Sequence, residues 1–228
     1  MILKDIPLFQ GLGDEVLEAL ERVSTIKTFP KNTILFSEGD QSDSFYIIRS
    51  GRVNVGINDE DGREVILSIL GPGEYFGEIA LMDGEPRSAY VMTKEPSQLV
   101  IISKNDFHGL LSSHPDIMTN LFRGLLKRFR EANKKIESLA LMDVYGRVAR
   151  LLIHLAATTG KKADGGRADL ATDDRVTIDE RLTHQEIANM VGASREMVSR
   201  VLKELSNDGY ISVHKKYITI EKKLPYQW

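Results

Sequence analysis

IMTNLFRGLLKRFREANKKIESLALMDV, residues 117–144, is the stretch that decides the expected architecture. Its apolar residues alternate steps of four and three positions: Met118, Phe122, Leu125, Phe129, Ala132, Ile136 and Leu139. This 3.5-residue repeat is typical of a helix that pairs along an apolar seam. A helix of about 25 residues would be roughly 38 Å long. We therefore expect it to join two domains and to pair with its copy in a second chain; the alternative is a long core helix within one domain.

The composition bounds the class of protein. The chain has 228 residues, of which 42% are hydrophobic and 28% charged, with a net charge of −3. These values predict a soluble globular protein with one large or two ordinary domains. The absence of cysteine excludes disulfides, thiolate zinc sites and cysteine-ligated iron–sulfur clusters. No long apolar run and no secretory signal are visible, so we expect no membrane span and a cytoplasmic location.

The first half of the chain reads as a series of short strands. Turn-forming residues separate β-type runs at Ile34–Phe36, Phe45–Ile48, Val53–Ile57, Glu64–Ile69 and Gln98–Ile102. Strands spaced about ten residues apart predict an antiparallel sandwich or barrel. The Asp61-Gly62 pair predicts a hairpin turn, because glycine adopts positive φ without strain.

One interval, FGEIALMDGEPRSA from Phe76 to Ala89, departs from this rhythm. Arg87 offers a forked guanidinium to a phosphate, Ser88 a hydroxyl, and Glu78 an acceptor for a sugar hydroxyl. A short helical turn opened by Gly77 would add backbone N–H groups. These parts suit a nucleotide-phosphate pocket. A barrel corner held by an Arg–Glu salt bridge is an equally good interpretation of the residue types alone.

The second half changes to helices. Asp143 can cap a helix over Val144–Ala157, which places an interdomain hinge at about 139–143. Thr158–Arg175, TTGKKADGGRADLATDDR, is rich in glycine and polar residues and predicts a loop. Val176–Ile178 then reads as a short strand.

The segment from Thr183 predicts a helix-turn-helix. Thr183 and Glu186 form a capping box, Gly192 ends the first helix, and Ser194 caps a second over Arg195–Asn207. Two β-type runs follow, Tyr210–Val213 and Tyr217–Ile220, around a basic turn. A hairpin after the second helix makes this a winged variant.

The second helix carries a polar face at its N-terminal end, formed by Arg195, Glu196, Ser199 and Arg200. Arginine can bind guanine in bidentate fashion and glutamate can accept from cytosine, so this face suits the major groove of DNA. A solvated face with ordinary Glu–Arg pairing is the alternative. Lys215 and Lys216 in the wing are expected to contact DNA phosphates. The five histidines have no metal-ligand spacing, and no catalytic pair accompanies the Phe76–Ala89 interval.

These motifs resemble those of a known family. FGEIALMDGEPRSA resembles the phosphate-binding cassette of cyclic-nucleotide-binding domains, and LTHQEIANMVGASREMVSRVLKEL resembles the helix-turn-helix of the CRP/FNR family of bacterial regulators. The Ser-Arg-Glu-x-x-x-Arg pattern and LALMDVYGRVARLL match its catabolite activator protein subgroup. The likeness covers essentially the whole chain, with its parts in the family's order.

The resemblance implies an α+β fold of three parts. Residues 1–115 would form a β-roll, the cyclic-nucleotide-binding jelly roll; residues 116–139 a dimerisation helix; and residues 140–228 a winged helix-turn-helix DNA-binding domain. The implied protein is no enzyme and has no catalytic cofactor. It would be a homodimeric transcription regulator controlled by a cyclic nucleotide, cyclic AMP first, with RNA polymerase as a candidate partner. Its two recognition helices would lie about 34 Å apart on a palindromic site.

The resemblance also assigns roles to individual residues. Glu78 would hold the ribose 2′-hydroxyl and Arg87 the cyclic phosphate. The implied ligand contacts are Gly77, Glu78, Ile79, Ala80, Arg87, Ser88, Ala89, Arg128, Ala132 and Asn133. Arg195, Glu196 and Arg200 would read a TGTGA-like half-site. The implied DNA contacts are Thr183, Gln185, Ser194, Arg195, Glu196, Ser199, Arg200, Lys203, Lys215 and Lys216.

The base contact departs from the family. Aligned through LALMDV, the Thr-Ser pair expected to contact adenine is replaced by Ala132 and Asn133. Alanine cannot hydrogen-bond through its side chain, whereas the asparagine amide both donates and accepts. Two alternatives therefore stay open for function: the same DNA-binding role with cyclic di-GMP, another nucleotide or no ligand, and a regulatory cyclic-nucleotide subunit of another protein.

Overall fold

The computed structural model describes residues 6–60, 62, 64–162 and 175–225. The chain divides into two compact units, Met1–Glu131 and Ala132–Trp228. The division falls inside one long helix, and each unit is described below by itself.

The first unit is a β-roll flanked by helices. A 3₁₀ turn at Pro7–Phe9 precedes helix α1, Asp14–Arg22. The strands are β1 Ser24–Phe29, β2 Ile34–Phe36, β3 Ser44–Ser50, β4 Val53–Asn58, β5 Glu64–Leu70, β6 Tyr75–Phe76, β7 Tyr90–Thr93 and β8 Ser97–Ser103. The short helix α2, Ile79–Asp83, lies between β6 and β7, and α3, Lys104–Ser113, follows β8.

The eight strands form two antiparallel sheets, which confirms the predicted sandwich. Their orders are β1-β8-β3-β6 and β2-β7-β4-β5. Ile48, Val53 and Leu99 are fully buried in the cluster formed by residues of both sheets. A second cluster joins the first sheet to the surrounding helices through residues such as Phe45, Phe107 and Leu121. Alternating strand residues supply these buried faces, as the pleat requires.

Three strands of the first unit were missed by sequence reasoning: β1, β6 and β7. Strand β1, STIKTF, has a mostly exposed burial pattern and no clear apolar alternation. Strand β6 is only two residues long, too short for any periodic signal. The expected hairpin at Asp61-Gly62 joins β4 to β5, and Gly62 has φ 75° with its N–H bonded to the Asp59 carbonyl at 3.0 Å. Asp61 lies outside the described residues.

Helix α4, Pro115–Leu141, is the long helix expected from the apolar repeat. Ile117 and Leu121 are buried in the core of the first unit. Several seam residues are instead exposed along the single chain, including Phe129 at 64% and Ile136 at 63%. The helix ends at Leu141, and Asp143 caps the next helix by accepting a hydrogen bond from the Gly146 N–H at 2.8 Å. The predicted helix break at about 139–143 is therefore confirmed, whereas the division into two compact units falls earlier, between Glu131 and Ala132.

The second unit contains the expected winged helix-turn-helix. Its elements are α5 Val144–Thr159, β9 Gly160–Lys162, β10 Val176–Ile178, α6 His184–Val191, α7 Arg195–Asn207, β11 Ile211–His214 and β12 Tyr217–Ile220. Buried residues of the three helices, among them Leu152, Ile187 and Leu202, form its core. The four strands form one sheet in the order β11-β12-β10-β9.

The loop predicted for Thr158–Arg175 is wrong at its beginning. Helix α5 continues through Thr159, and Gly160–Lys162 pairs with β10 as a strand. Glycine suits this corner, because a Cβ at Gly160 would lie 2.1 Å from the Ala156 carbonyl oxygen. Residues 163–174 of the predicted loop lie outside the described residues.

Candidate nucleotide pocket and DNA interface

The predicted cassette is assembled at the end of β6. Gly77 has φ +84°, which glycine adopts without strain, and a Cβ there would lie 2.6 Å from Arg87 Nη1. Glu78 follows and is 1% exposed. Ala80 and Ala89 are buried, whereas Ile79 and Ser88 are exposed. The fold thus brings Gly77, Glu78 and Arg87 to one place across ten residues of chain.

Arg87 is held by main-chain oxygens and aromatic rings. It is 4% exposed, and its Nη1 and Nη2 donate to the carbonyls of Gly77 at 2.8 Å and Ser44 at 2.7 Å. Its guanidinium lies 4.1 Å from the centre of the Phe36 ring. Its Nε is buried and has no hydrogen-bond partner among the described residues. An anion would satisfy such a donor.

Glu78 pairs with the long helix. Arg128 Nη1 donates to Glu78 Oε1 at 2.7 Å, and Arg128 Nη2 donates to the Tyr75 carbonyl. The alternative interpretation was a corner closed by a salt bridge between Arg87 and Glu78. The ion pair of Glu78 is instead with Arg128. Residue types alone could not select this partner, which lies 50 positions away.

Burial dominates the ionisation of both charged groups. Burial raises the pKa of the Glu78 carboxyl, and Arg128 opposes this rise. Burial lowers the pKa of the Arg87 guanidinium, and Tyr46 and Asp43 oppose the fall. An arginine keeps its charge at neutral pH in any case, so the pocket retains a cation beside the Glu78 carboxyl group. This arrangement suits a ligand that presents both an anion and hydroxyl donors.

Sequence reasoning missed the aromatic surroundings of Arg87. Tyr46 and Phe76 stack with ring centres 5.0 Å apart, and Phe36 packs against both. Phe76 is itself buried, with 3% of its surface exposed. No local signal could have identified Phe36 or Tyr46, because strand pairing brings them beside Arg87 from distant parts of the chain.

Ala132 and Asn133, the predicted base contacts, lie on α4 within the second compact unit, and both are exposed. Their contact with a nucleotide stays a prediction.

The helix-turn-helix has the expected caps. The Glu186 N–H donates to Thr183 Oγ1 at 3.1 Å, and the Glu186 carboxylate accepts from the Thr183 N–H at 2.8 Å. Gly192 ends α6 with φ 64°, and Ser194 Oγ accepts from the Met197 N–H at 3.2 Å. The capping box and both predicted helix boundaries at the turn are confirmed.

Most of the predicted DNA-contacting residues are exposed. On α7, Ser199 is half-buried and the four charged members of the predicted set are exposed: Arg195, Glu196, Arg200 and Lys203. Gln185 is exposed on α6, with its amide bonded to Asn189 Oδ1 at 2.8 Å. Lys215 and Lys216 occupy the two-residue turn of the wing, with φ 49° and 69°. Consecutive positive φ angles match a tight hairpin turn, which projects both lysines from its tip.

Arg147 is a structural residue that sequence reasoning missed. Its Nε donates to the Val191 carbonyl at 2.9 Å and its Nη2 to the Gly192 carbonyl at 3.3 Å. Its Nη1 donates to the Met142 carbonyl at 2.9 Å. One side chain therefore satisfies carbonyls at the end of α6 and at the hinge before α5.

Comparison with known proteins agrees with this geometry. The profile of the cyclic nucleotide-binding domain matches residues 26–114, and that of the Crp-like helix-turn-helix domain matches residues 146–223. A CRP-like cAMP-activated global transcriptional regulator of Mycobacterium tuberculosis is 35% identical over 96% of this chain and 94% of its own. This chain belongs to the CRP/FNR family. Its relatives are transcription regulators rather than enzymes, and it shares their two-domain plan.

Two further CRP/FNR relatives place the chain within the family. The cAMP-activated global transcriptional regulator CRP of Salmonella typhimurium is 36% identical over 91% of this chain and 94% of its own. The structure of the c-di-GMP responsive global regulator CLP of Xanthomonas campestris matches with a TM-score of 0.76 and 27% identity, over 95% of this chain and all of that one. These two relatives are therefore described with different effectors, cyclic AMP and cyclic di-GMP.

Within the described residues, no helix has the length and apolar character to cross a membrane, and no cluster of three or more His, Asp or Glu could hold a metal ion.

Proposed function

We propose that this protein is a homodimeric transcription regulator that binds a cyclic nucleotide, with cyclic AMP as first choice. Each β-roll would bind one ligand, and the paired α7 helices would bind a palindromic TGTGA-like site in double-stranded DNA. The protein would act in the cytoplasm, with RNA polymerase as a further partner at the promoter.

The buried charges of the cassette carry this proposal. Glu78 and Arg87 are 1% and 4% exposed, respectively, and charged side chains are rarely buried so deeply without a partner or a function. The unpartnered Nε of Arg87 fits a cyclic phosphate. Arg128 Nη1 donates to Oε1 of Glu78, and the second oxygen of this carboxyl group would accept from the ribose 2′-hydroxyl. No nucleophile or general base has been identified beside them, so the site suits binding rather than turnover.

Cyclic di-GMP is the second candidate effector. The Xanthomonas campestris regulator is described as responsive to it, and its structure matches along its whole length. Ala132 and Asn133 stand where the family has its adenine-contacting Thr-Ser pair, and this difference favours an effector other than cyclic AMP. The names of the two cyclic-AMP-activated relatives and their higher identity favour cyclic AMP.

The exposed seam of α4 supports the dimer. Phe122, Phe129 and Ile136 are each at least 60% exposed in a single chain, and they repeat at coiled-coil spacing. A second copy of the same helix would cover them.

Ligand control would act through a shift between two arrangements of the dimer. A ligand that binds the DNA-competent arrangement 100-fold more tightly supplies about 2.7 kcal/mol of coupling.

Calorimetric titration with cyclic AMP, cyclic GMP and cyclic di-GMP tests the ligand, and a TGTGA-type duplex with and without ligand tests DNA binding.

Arg87→Lys keeps the charge but loses the guanidinium fork, so it should weaken cyclic-nucleotide binding by about tenfold or more. Lys27→Ala, on exposed β1, is the matched control and should bind normally. Undiminished affinity in Arg87→Lys would remove Arg87 from the pocket. DNA binding that does not depend on ligand would contradict effector control. If RNA polymerase does not bind the protein–DNA complex, the proposal that it is a partner is wrong.

A further inference from the structure

Tyr75 lies between the cassette and the long helix. It begins β6 three residues before Glu78, it is 7% exposed, and its ring packs against Phe45 with centres 5.6 Å apart. Its hydroxyl reaches α4 and donates a long hydrogen bond of 3.4 Å to the Leu121 carbonyl. Tyr75 therefore belongs to the core of the first unit.

Gly124 forms a notch for this hydroxyl. A glycine inside a helix costs about 1 kcal/mol relative to alanine, so its presence calls for a packing reason. A Cβ at Gly124 would lie 2.0 Å from the Tyr75 hydroxyl oxygen and 3.1 Å from ring carbon Cζ. The missing side chain is therefore the space that the tyrosine oxygen occupies.

The same tyrosine contacts Arg128 on the next turns of α4. The Arg128 guanidinium lies 4.6 Å from the centre of the Tyr75 ring, and its Nη2 donates to the Tyr75 carbonyl. Leu121, Gly124 and Arg128 follow one another at three- and four-residue steps, so they share one face of the helix. Burial raises the pKa of the Tyr75 hydroxyl, which therefore stays protonated and able to donate at neutral pH.

We infer that Tyr75, seated in the Gly124 notch, is a positioning residue for ribose recognition. Its ring holds the Arg128 guanidinium, and Arg128 fixes the Glu78 carboxylate through the bond of 2.7 Å. Glu78 then presents its second oxygen in a fixed direction to the ribose 2′-hydroxyl. This inference rests on the proposed function, because it assumes that the cassette binds a ribonucleotide.

A purely structural role for Tyr75 makes a different prediction. Loss of a buried aromatic side chain destabilises any core and would weaken all ligands alike. A positioning role weakens only the ligands whose 2′-hydroxyl contacts Glu78. The ratio of affinities for cyclic AMP and 2′-deoxy cyclic AMP therefore separates the two roles, because lost folding stability cancels in it.

The test measures this ratio by calorimetry on the full chain. Tyr75→Leu removes the ring and should lower the ratio by about fivefold, the size expected for a partly buried cation–π contact. Tyr75→Phe retains the ring and should stay within about twofold of the unmodified protein. Equal weakening of both ligands by Tyr75→Leu would overturn the inference.

The notch is tested from the opposite side. Gly124→Ala should lower the ratio as Tyr75→Leu does, because the new methyl group displaces the hydroxyl. The double variant Gly124→Ala/Tyr75→Phe should recover most of the loss, because the atom in closest conflict has been removed. If Gly124→Ala leaves the ratio of affinities for cyclic AMP and 2′-deoxy cyclic AMP unchanged, the space at Gly124 is not needed to position Tyr75.

A ligand-free measurement keeps the inference separate from the proposed function. Amide hydrogen exchange in residues 76–81 should be faster in Tyr75→Leu and Gly124→Ala than in Tyr75→Phe, because the first two release Arg128 from Glu78. Equal exchange in all three would overturn the positioning role even if cyclic AMP binds. Faster exchange with no cyclic nucleotide bound would instead contradict the proposed function alone.

Discussion

The Glu78 carboxylate is the residue at which burial and charge most directly oppose each other. It lies 1% exposed, and desolvation outweighs the attraction of the Arg128 and Arg87 guanidinium groups, so that its pKa is raised. An acid whose pKa is raised in the folded state stabilises the fold most when it is protonated. The pocket therefore keeps its ligand acceptor at a cost in folding stability near neutral pH, as functional sites commonly do.

We predict that Glu78→Gln changes the pH dependence of unfolding. The folded form of the unmodified protein should lose stability relative to the variant as pH rises from about 4, the ordinary glutamate range, through the raised pKa. Urea denaturation at several pH values measures the difference in unfolding free energy between the two proteins. Glu85→Gln, at an exposed position, is the control and should show no such trend. A difference that is constant with pH would contradict the prediction.

At the scale of elements, the end of α6 depends on a side chain from α5. Arg147 donates to the carbonyls of Met142, Val191 and Gly192, so it holds the first helix of the DNA-binding motif against the hinge. Hydrogen bonds that involve a charged group contribute more than neutral ones.

We expect Arg147→Met to lower the free energy of unfolding of the second unit by about 2 kcal/mol, because a charged donor is lost and carbonyls remain unsatisfied. Denaturant unfolding followed by circular dichroism measures the loss. Lys203→Ala, an exposed substitution on α7, should leave stability within about 0.5 kcal/mol. Equal stability of the two variants would contradict the prediction and would mean that water satisfies the carbonyls of Met142, Val191 and Gly192 as well as Arg147 does.

The exposed seam of α4 carries the second prediction at this scale. Phe129→Glu should place a charge in the proposed apolar interface and raise the dimer dissociation constant by about 100-fold or more, because an unpaired buried charge is strongly unfavourable. Analytical ultracentrifugation measures the constant. Arg130→Glu changes the charge at the neighbouring exposed position and should have a much smaller effect. A dimer that survives Phe129→Glu unchanged would place the interface elsewhere.

At the scale of the whole molecule, the DNA face divides into residues expected to read sequence and residues expected to bind phosphate. Arg200 lies exposed on α7, while Lys216 lies at the tip of the wing. Base contacts are specific to one position of the site, whereas phosphate contacts are indifferent to sequence.

Arg200→Ala should therefore cost about 1–3 kcal/mol on the preferred duplex and relax the preference at one base pair of each half-site. Lys216→Ala should weaken binding equally on all duplexes and lower the salt dependence by about one ion per subunit. Binding to a set of single-substituted duplexes at two salt concentrations measures both effects. An equal loss for Arg200→Ala on every duplex would make it a phosphate contact.

The order of elements followed from local patterns. The apolar repeat predicted α4, the Thr183–Glu186 capping box predicted the start of α6, and Ser194 predicted the start of α7, because caps and periodicity act within a few residues. The same reasoning failed for β1 and β6, whose strand character depends on pairing with β8 and β3. It also failed at Gly160–Lys162, where pairing with β10 overrides a polar, glycine-containing sequence.

The sequence by itself determined which chemical groups the cassette contains, since Gly77, Glu78 and Arg87 lie within one short interval. Tertiary structure alone decided their partners. Glu78 pairs with Arg128 rather than Arg87, and Arg87 rests on Phe36 with its donors on the Gly77 and Ser44 carbonyls. The physical reason is that helices, caps and turns depend on neighbours within a few positions, whereas a buried charge is paired by whatever the packed strands and the long helix bring within hydrogen-bonding distance.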